Sequence, residues 1–213
     1  MNPLRKPFRW TYSNATLYLI GINVIIFIFQ FAGNNIGFNL TAYLALNPVL
    51  LLKYHMYWQF VTYMFAHGGI SHILFNMLAL FIFGRTLERY IGSKEFILYY
   101  MLTGILAGVL SFFSYLLSGT YYVSLLGASG ALFAIQLAYA AFFPDSVIYI
   151  WGILPLRAPV MMVLFTAIEL FSGVFGINNG TAHFTHLFGF AFGWLYFLIR
   201  WGTNPFKMMF GRR

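Results

Sequence analysis

The chain has no cysteine, which excludes both a disulfide framework and a thiolate metal site and leaves the redox compartment unmarked. Charge is nearly as scarce: 8% of the 213 residues are charged, and the only acids are Glu88, Glu95, Asp145 and Glu169. Apolar residues take their place, with 61% hydrophobic and 22% aromatic, well beyond the content of soluble domains. Such a composition reads as an all-α polytopic membrane protein, with the lipid bilayer as its surroundings. The net charge of +8 could suit nucleic acid. Its Lys and Arg residues, however, flank the apolar segments instead of lining one face, so the pattern is one of membrane topology and no nucleic-acid partner is expected.

A single membrane domain, residues 1–213, is expected to cross the bilayer six times, at about residues 16–32, 70–87, 96–117, 129–143, 159–175 and 182–201. No small-residue cleavage site follows the first apolar run, so that run reads as an uncleaved span. Residues 33–66 are broken by Asn34, Asn35, Gly37, Asn47, Pro48 and Lys53, yet carry Tyr54, Tyr57, Trp58, Phe60, Tyr63 and Phe65. That mixture suits a membrane-embedded first loop of short helical pieces in the interfacial layer. Gly104-x-x-x-Gly108 in the third span is a close-packing motif of membrane helices, and residues 144–158, with Pro155 and Arg157, read as a connection outside the bilayer. With the N-terminus inside, the inner side collects Arg5, Lys6, Arg9, Arg85, Arg89, Lys94, Arg157, Arg200, Lys207, Arg212 and Arg213. The outer side keeps only Lys53. Adding or removing a span would scatter these charges across both sides, so both termini are placed in the cytoplasm.

The stretch Leu125-Leu126-Gly127-Ala128-Ser129-Gly130-Ala131-Leu132-Phe133 opens the fourth apolar segment. At 1.5 Å per residue that segment is about 22 Å long, short against a hydrocarbon core of about 30 Å, which puts Ser129 below the membrane surface. A helix start offers unpaired N–H groups and a partial positive charge, a setting for an oxyanion. Taken alone, a serine between glycines in a membrane helix serves packing.

Topology brings other polar residues to the same layer. Spans two, four and six run from outside to inside, so His72, Asn76, Ser129, His183 and His186 fall near their outer ends. Polar groups in spans are costly and mark function or a wet cavity. A serine and a histidine react together only within about 2.6–3.2 Å, which demands close helix packing. Gly130, Ala134 and Ala138 give one smooth stripe, and Gly189 and Gly193 give another on the face that carries His186. His183 lies one turn earlier on nearly the same face, so spacing alone does not separate the two histidines. Either one by itself reads as a buried, hydrogen-bonded residue. A metal reading of His67, His72, His183 and His186 lacks a carboxylate at the same depth, Glu169 aside, and no metal is expected.

Four motifs in order carry a family resemblance: His67-Gly-Gly-x-x-His72-x-x-x-Asn76, Gly84-x-x-x-Glu88-x-x-x-Gly92, Gly127-Ala-Ser129-Gly130 and His186-x-x-Gly189-x-x-x-Gly193. On them the chain resembles a rhomboid intramembrane serine protease over nearly its whole length. The resemblance implies a six-transmembrane-helix rhomboid bundle and a serine endopeptidase with Ser129 as nucleophile and His186 as general base, a dyad without an acid and without a cofactor. It assigns His72, Asn76 and the Ser129 backbone to the oxyanion hole. His67, Gly127, Phe133 and Gly189 are supporting residues, and Glu88 sits with Arg85 and Arg89 in a structural cluster. Substrates would be single-span membrane proteins cut near small residues, admitted beside span five, and the short tails suit a minimal enzyme of a plasma (inner) membrane.

Two departures stand out. Many relatives have Trp-Arg in the first loop where this chain has Trp58-Gln59, and many have tyrosine where it has Phe133. With three acids at the inner side and Glu169 read as a helix-packing or gate residue, packing against Phe133 would have to fix the imidazole. The polar mouth of His67, Ser71, His72 and the turn Asn178-Asn179-Gly180-Thr181 would admit water. Two rivals come from other classes. A small transporter or channel would show paired charges or broken helices near the midplane, and Glu169 is the lone candidate. A catalytically inactive rhomboid-like escort normally lacks the serine or the histidine, and both are present here.

Overall fold

The computed structural model describes residues 5, 7–150, 152–176 and 182–211. Long apolar runs fold as helices because in lipid each backbone N–H and C=O must be satisfied within its own segment. α1 (Ala15–Asn35) is followed by three short pieces, α2 (Leu40–Leu44), α3 (Pro48–Tyr54) and α4 (Gln59–Thr62). Asn39 and Asn47 start two of these, each accepting backbone N–H groups of its first turn. α5 (Ile70–Ala79) and α6 (Arg85–Ile91) are joined through a π turn, Leu80–Gly84, into one rod. Next come α7 (Ser93–Leu117), α8 (Ser129–Phe142), strands β1 (Val147–Ile150) and β2 (Leu154–Arg157), and α9 (Ala158–Phe175). α10 (His183–Tyr196) continues through a π turn, Phe197–Trp201, and α11 (Pro205–Phe210) ends the described chain.

Among the described residues, four stretches are long and apolar enough to cross a membrane: Ala15–Asn35, Ile70–Ile91, Ser93–Leu117 and Ala158–Phe175. The protein is therefore a helical, multi-pass membrane protein. α8, with 14 residues, is shorter, about 21 Å. It also lies at the centre: every residue from Gly130 to Ala141 is buried. Small residues permit this. A Cβ on Gly189 of α10 would run into the Gly130 carbonyl, and one on Gly193 would lie 2.9 Å from the Ala134 Cβ and 2.7 Å from the Tyr99 hydroxyl. The Tyr99 hydroxyl donates to the Ala134 carbonyl at 2.8 Å, tying α7 to the same stripe.

Two of the expected features take a specific form. The Gly104/Gly108 groove of α7 holds the first loop as well as α8: a Cβ on Gly104 would strike Met64 and lie 3.2 Å from the Ala131 Cβ of α8, one on Gly108 would lie 2.6 Å from the Tyr63 ring, and the Tyr63 hydroxyl donates to the Gly104 carbonyl at 2.6 Å. The connection over residues 144–158 is an antiparallel hairpin, Val147 pairing with Arg157 and Ile150 with Leu154, turned at Gly152 with φ +72°.

The first loop is sewn to the segment before α8. Leu46 and Leu125 exchange both backbone hydrogen bonds at 2.9 Å, and the Gly127 N–H donates to the Tyr63 carbonyl at 2.9 Å. Gln59, fully buried, stands where an arginine would be expected. Its Oε1 accepts the Asn47 N–H at 3.0 Å and its Nε2 donates to the Ala42 carbonyl at 3.0 Å, so the loop keeps an internal polar anchor.

At the other end, Glu88 turns to the start of α1 instead of to Arg85 or Arg89. It accepts the N–H groups of Ala15 (2.6 Å) and Thr16 (2.9 Å) and the Ser93 hydroxyl, capping a helix that follows it nowhere in sequence. Glu95 takes Arg200 at 2.9 and 3.0 Å and the Tyr196 hydroxyl at 2.6 Å, which locks α7 to the end of α10.

Candidate active site

Ser129 is the first residue of α8. Gly127 makes the approach possible with φ +113°, a conformation that residues with a Cβ rarely adopt. Ala128 provides no side-chain cap, and the first bond of the helix runs from the Leu132 N–H to the Ala128 carbonyl at 3.0 Å. The N–H groups of Ser129, Gly130 and Ala131 thus have no partner within the helix, beside the serine hydroxyl.

His186 faces it from the first turn of α10, Nε2 lying 2.7 Å from the Ser129 Oγ. The ring lies flat on Phe133, one turn after the serine, at 4.7 Å between centroids and 5° between planes. Gly189 makes this meeting possible, one turn further along α10, by letting it rest on the Gly130 backbone. The distance along α7 from Glu95 to Ser111, whose hydroxyl meets that of Thr185 at 2.6 Å beside His186, is about 24 Å. The serine–histidine pair and the Glu95–Arg200 lock therefore occupy opposite ends of the molecule.

From α5, His72 leans over Gly127: a Cβ there would lie 2.7 Å from His72 Nε2 and 3.8 Å from the Ser129 Oγ. His72 Nδ1 accepts the Gly68 N–H at 3.3 Å, so the remaining ring proton sits on Nε2, on the serine side. Asn76 donates one amide proton to the His72 carbonyl at 2.8 Å and has a second to give. Both residues line a cavity of about 860 Å³ together with Ser129, His186, Ser71 and Ser172. Three helix starts, those of α5, α8 and α10, converge on it, and their dipoles all favour negative charge there.

His67 stands elsewhere than expected. It is 2% exposed, behind His72 with rings edge to face at 5.1 Å, and it does not line the cavity. Gln30 of α1 holds its backbone, accepting the His67 N–H at 3.1 Å. Burial, and the His72 ring beside it, push its imidazole down to about 4 from the ordinary 6.5. Residues 178–181, expected at the mouth, lie outside the described residues, as do Lys6 and the tail residues Arg212 and Arg213.

The site's third partner was not foreseen. Glu169 of α9 sends Oε2 to 2.6 Å from the His183 Nδ1 and 3.1 Å from the His186 Nδ1. The expectation of an imidazole fixed by packing alone is corrected by this contact, and His183 is placed on the carboxylate, not on the serine. Among the described residues no three His or acidic side chains are grouped to hold a metal ion.

The model of the Rhomboid domain family matches residues 54–203. The chain is 27% identical to Rhomboid protease GlpG of Haemophilus influenzae over 204 residues, which cover 95% of this chain and 96% of that protein. It is 32% identical over 159 residues to RHOMBOID-like protein 1 of Arabidopsis thaliana, covering 73% of this chain and 38% of that one. It is 34% identical over 142 residues to Rhomboid-type serine protease 2 of Emericella nidulans, covering 64% of this chain and 25% of the fungal protein.

Proposed function

The chain belongs to the rhomboid family, and on that premise we propose that it is an intramembrane serine endopeptidase in which Ser129 is the nucleophile and His186 the general base. The observation that carries this reading is the 2.7 Å contact between the Ser129 Oγ and His186 Nε2, at a helix start that also offers unpaired N–H groups.

Ser129 Oγ attacks the carbonyl carbon of the scissile peptide as its proton passes to His186 Nε2. The carbonyl oxygen becomes an oxyanion and takes hydrogen bonds from the Ser129 N–H, His72 Nε2–H and the second amide proton of Asn76. Each such donor is worth about 2.7–4 kcal/mol in soluble serine proteases. Collapse of the tetrahedral intermediate breaks the C–N bond, and His186 returns its proton to the leaving amine. Water from the hydroxyl-lined cavity then attacks the acyl-enzyme, with His186 as base again. This cycle calls on no cofactor.

The substrates in this proposal are single-span membrane proteins, unwound locally so that a carbonyl reaches Ser129. The chain crosses a plasma (inner) membrane six times, α8 and the rod from His183 to Trp201 supplying the two shorter crossings, with both termini in the cytoplasm. The distribution of charge supports the orientation. Arg5 packs by Gly202, the Trp10 indole donates to the Arg89 carbonyl at 3.2 Å, and Arg200 reaches Glu95, so one end gathers the basic residues while Lys53 sits in the first loop.

The test is labelling of the detergent-solubilised protein with a fluorophosphonate, beside Ser129→Ala and His186→Ala. Labelling of the wild type that both substitutions abolish is the expected result; labelling that survives Ser129→Ala, or none in the wild type together with no cleavage of any single-span peptide, sinks the proposal.

A further inference from the structure

For His186 to receive the serine proton on Nε2, its own proton must be on Nδ1, and a buried N–H without an acceptor is costly. His186 Nδ1 is buried and has no well-aligned hydrogen-bond partner. Glu169 Oε2 lies 3.1 Å from it, on the side of the ring away from Ser129. The carboxylate does not get there by chance of rotamer, since the same oxygen is held at 2.6 Å by His183 Nδ1, one turn before His186 on α10. Glu169 is the only one of the four acids at this end: Glu88 and Glu95 are committed at the other end of the molecule, and Asp145 follows the far end of α8. An ionisable group kept within an apolar crossing helix is expensive, and α9 offers no other charge to offset it.

We propose that Glu169 is the positioning residue of this site: it accepts the Nδ1–H of His186, holds the ring in the tautomer whose Nε2 is free, and stabilises the imidazolium formed during acylation. The inference rests on the Ser129–His186 reading and deepens it from a pair to a relay of three. His183 aims the carboxylate. In the resting geometry the shorter bond goes to His183 and the contact with His186 is off the line of its N–H. Contacts of this kind tighten when the base takes its proton, as the imidazolium draws the carboxylate in. Glu169 touches no substrate; it acts through His186.

The experiment uses the full chain in detergent with a fluorogenic single-span peptide, comparing wild type with Glu169→Gln. Glutamine keeps the volume, the packing and an acceptor oxygen, but its amide can donate to Nδ1 and favour the wrong tautomer. Neutralising the aspartate of a soluble triad lowers kcat by about 10⁴; with a longer contact here, a loss of ~10- to 10³-fold in kcat is expected, with KM within about twofold and melting unchanged. Wild type that labels at Ser129 while E169Q turns over at the wild-type rate, or faster, overturns the role of Glu169 alone, the second outcome marking it as a latch between α9 and α10. Failure of the wild type to label removes the protease reading and the role with it. If E169Q does not fold, the wild type still decides: a strongly downfield imidazole N–H proton resonance that His186→Ala removes supports the role, and its absence overturns it.

Discussion

Gly127 shows how much one residue can carry. Its φ of +113° is closed to most side chains, and the space a Cβ would take is held by the His72 ring at 2.7 and 2.8 Å. Gly127→Ala therefore has to strain the backbone before Ser129 and push aside an oxyanion donor at once. The expected outcome is a fall in kcat of ~10² or more, from loss of the donor, with destabilisation of about 1–3 kcal/mol; cleavage kinetics and thermal melting of the purified variant measure both. Phe133 presents its stacking face to the His186 ring, at 4.7 Å and 5°, without a hydroxyl.

At the scale of elements, the approach of α10 to α8 sets the distance between base and nucleophile. Gly189 is one turn after His186, and its Cα rests on the Gly130 backbone, which cannot move aside as a side chain could. Gly189→Ala should drive the two helices apart, lower stability by about 1–3 kcal/mol, and slow labelling of Ser129. Gly193→Ala, two turns from His186, should lower stability while labelling falls less. Parallel melting and labelling-rate measurements on the two variants distinguish the positions.

This packing was legible in the sequence because small residues at four-residue spacing, with a histidine on the same face, have few other uses. The helix over Ser129–Phe142 was legible to within a residue for the same reason. Glu169 was not: Thr166, Glu169 and Ser172, three residues apart, mark one polar side of α9, but nothing in that spacing says that this side meets His183 and His186 of α10. The Gly104-x-x-x-Gly108 motif announced a close approach but not its occupant, since Tyr63 and Met64 lie in a loop whose path no periodicity records. The hairpin β1–β2 was hidden by Pro155, which sits opposite Tyr149 in a two-stranded ribbon where a missing N–H is tolerated.

Across the whole molecule, stability should follow pH through a group outside the chemistry. His67 is neutral and buried in the folded protein, its imidazole held down to about 4, while the unfolded chain takes a proton near 6.5. Between those values the unfolded state binds more protons, so the contribution is fully present above pH 6.5 and is lost as pH falls towards 4. It amounts to about 3 kcal/mol at the limit. The melting temperature should drop over that window, and the drop should be shallower in His67→Gln; equal slopes in both proteins would contradict it.

The burial of α8 on every side has one more consequence. Acyl chains meet α1 and α9, whose large apolar side chains such as Phe29 and Phe171 are exposed, but none reaches the rod that bears the nucleophile. Thickening or thinning of the surrounding leaflets is absorbed by those peripheral helices as tilt. The serine is carried in an inner sleeve of protein, so a change in the surrounding leaflets reaches it only through the helices around it, α9 with Glu169 among them.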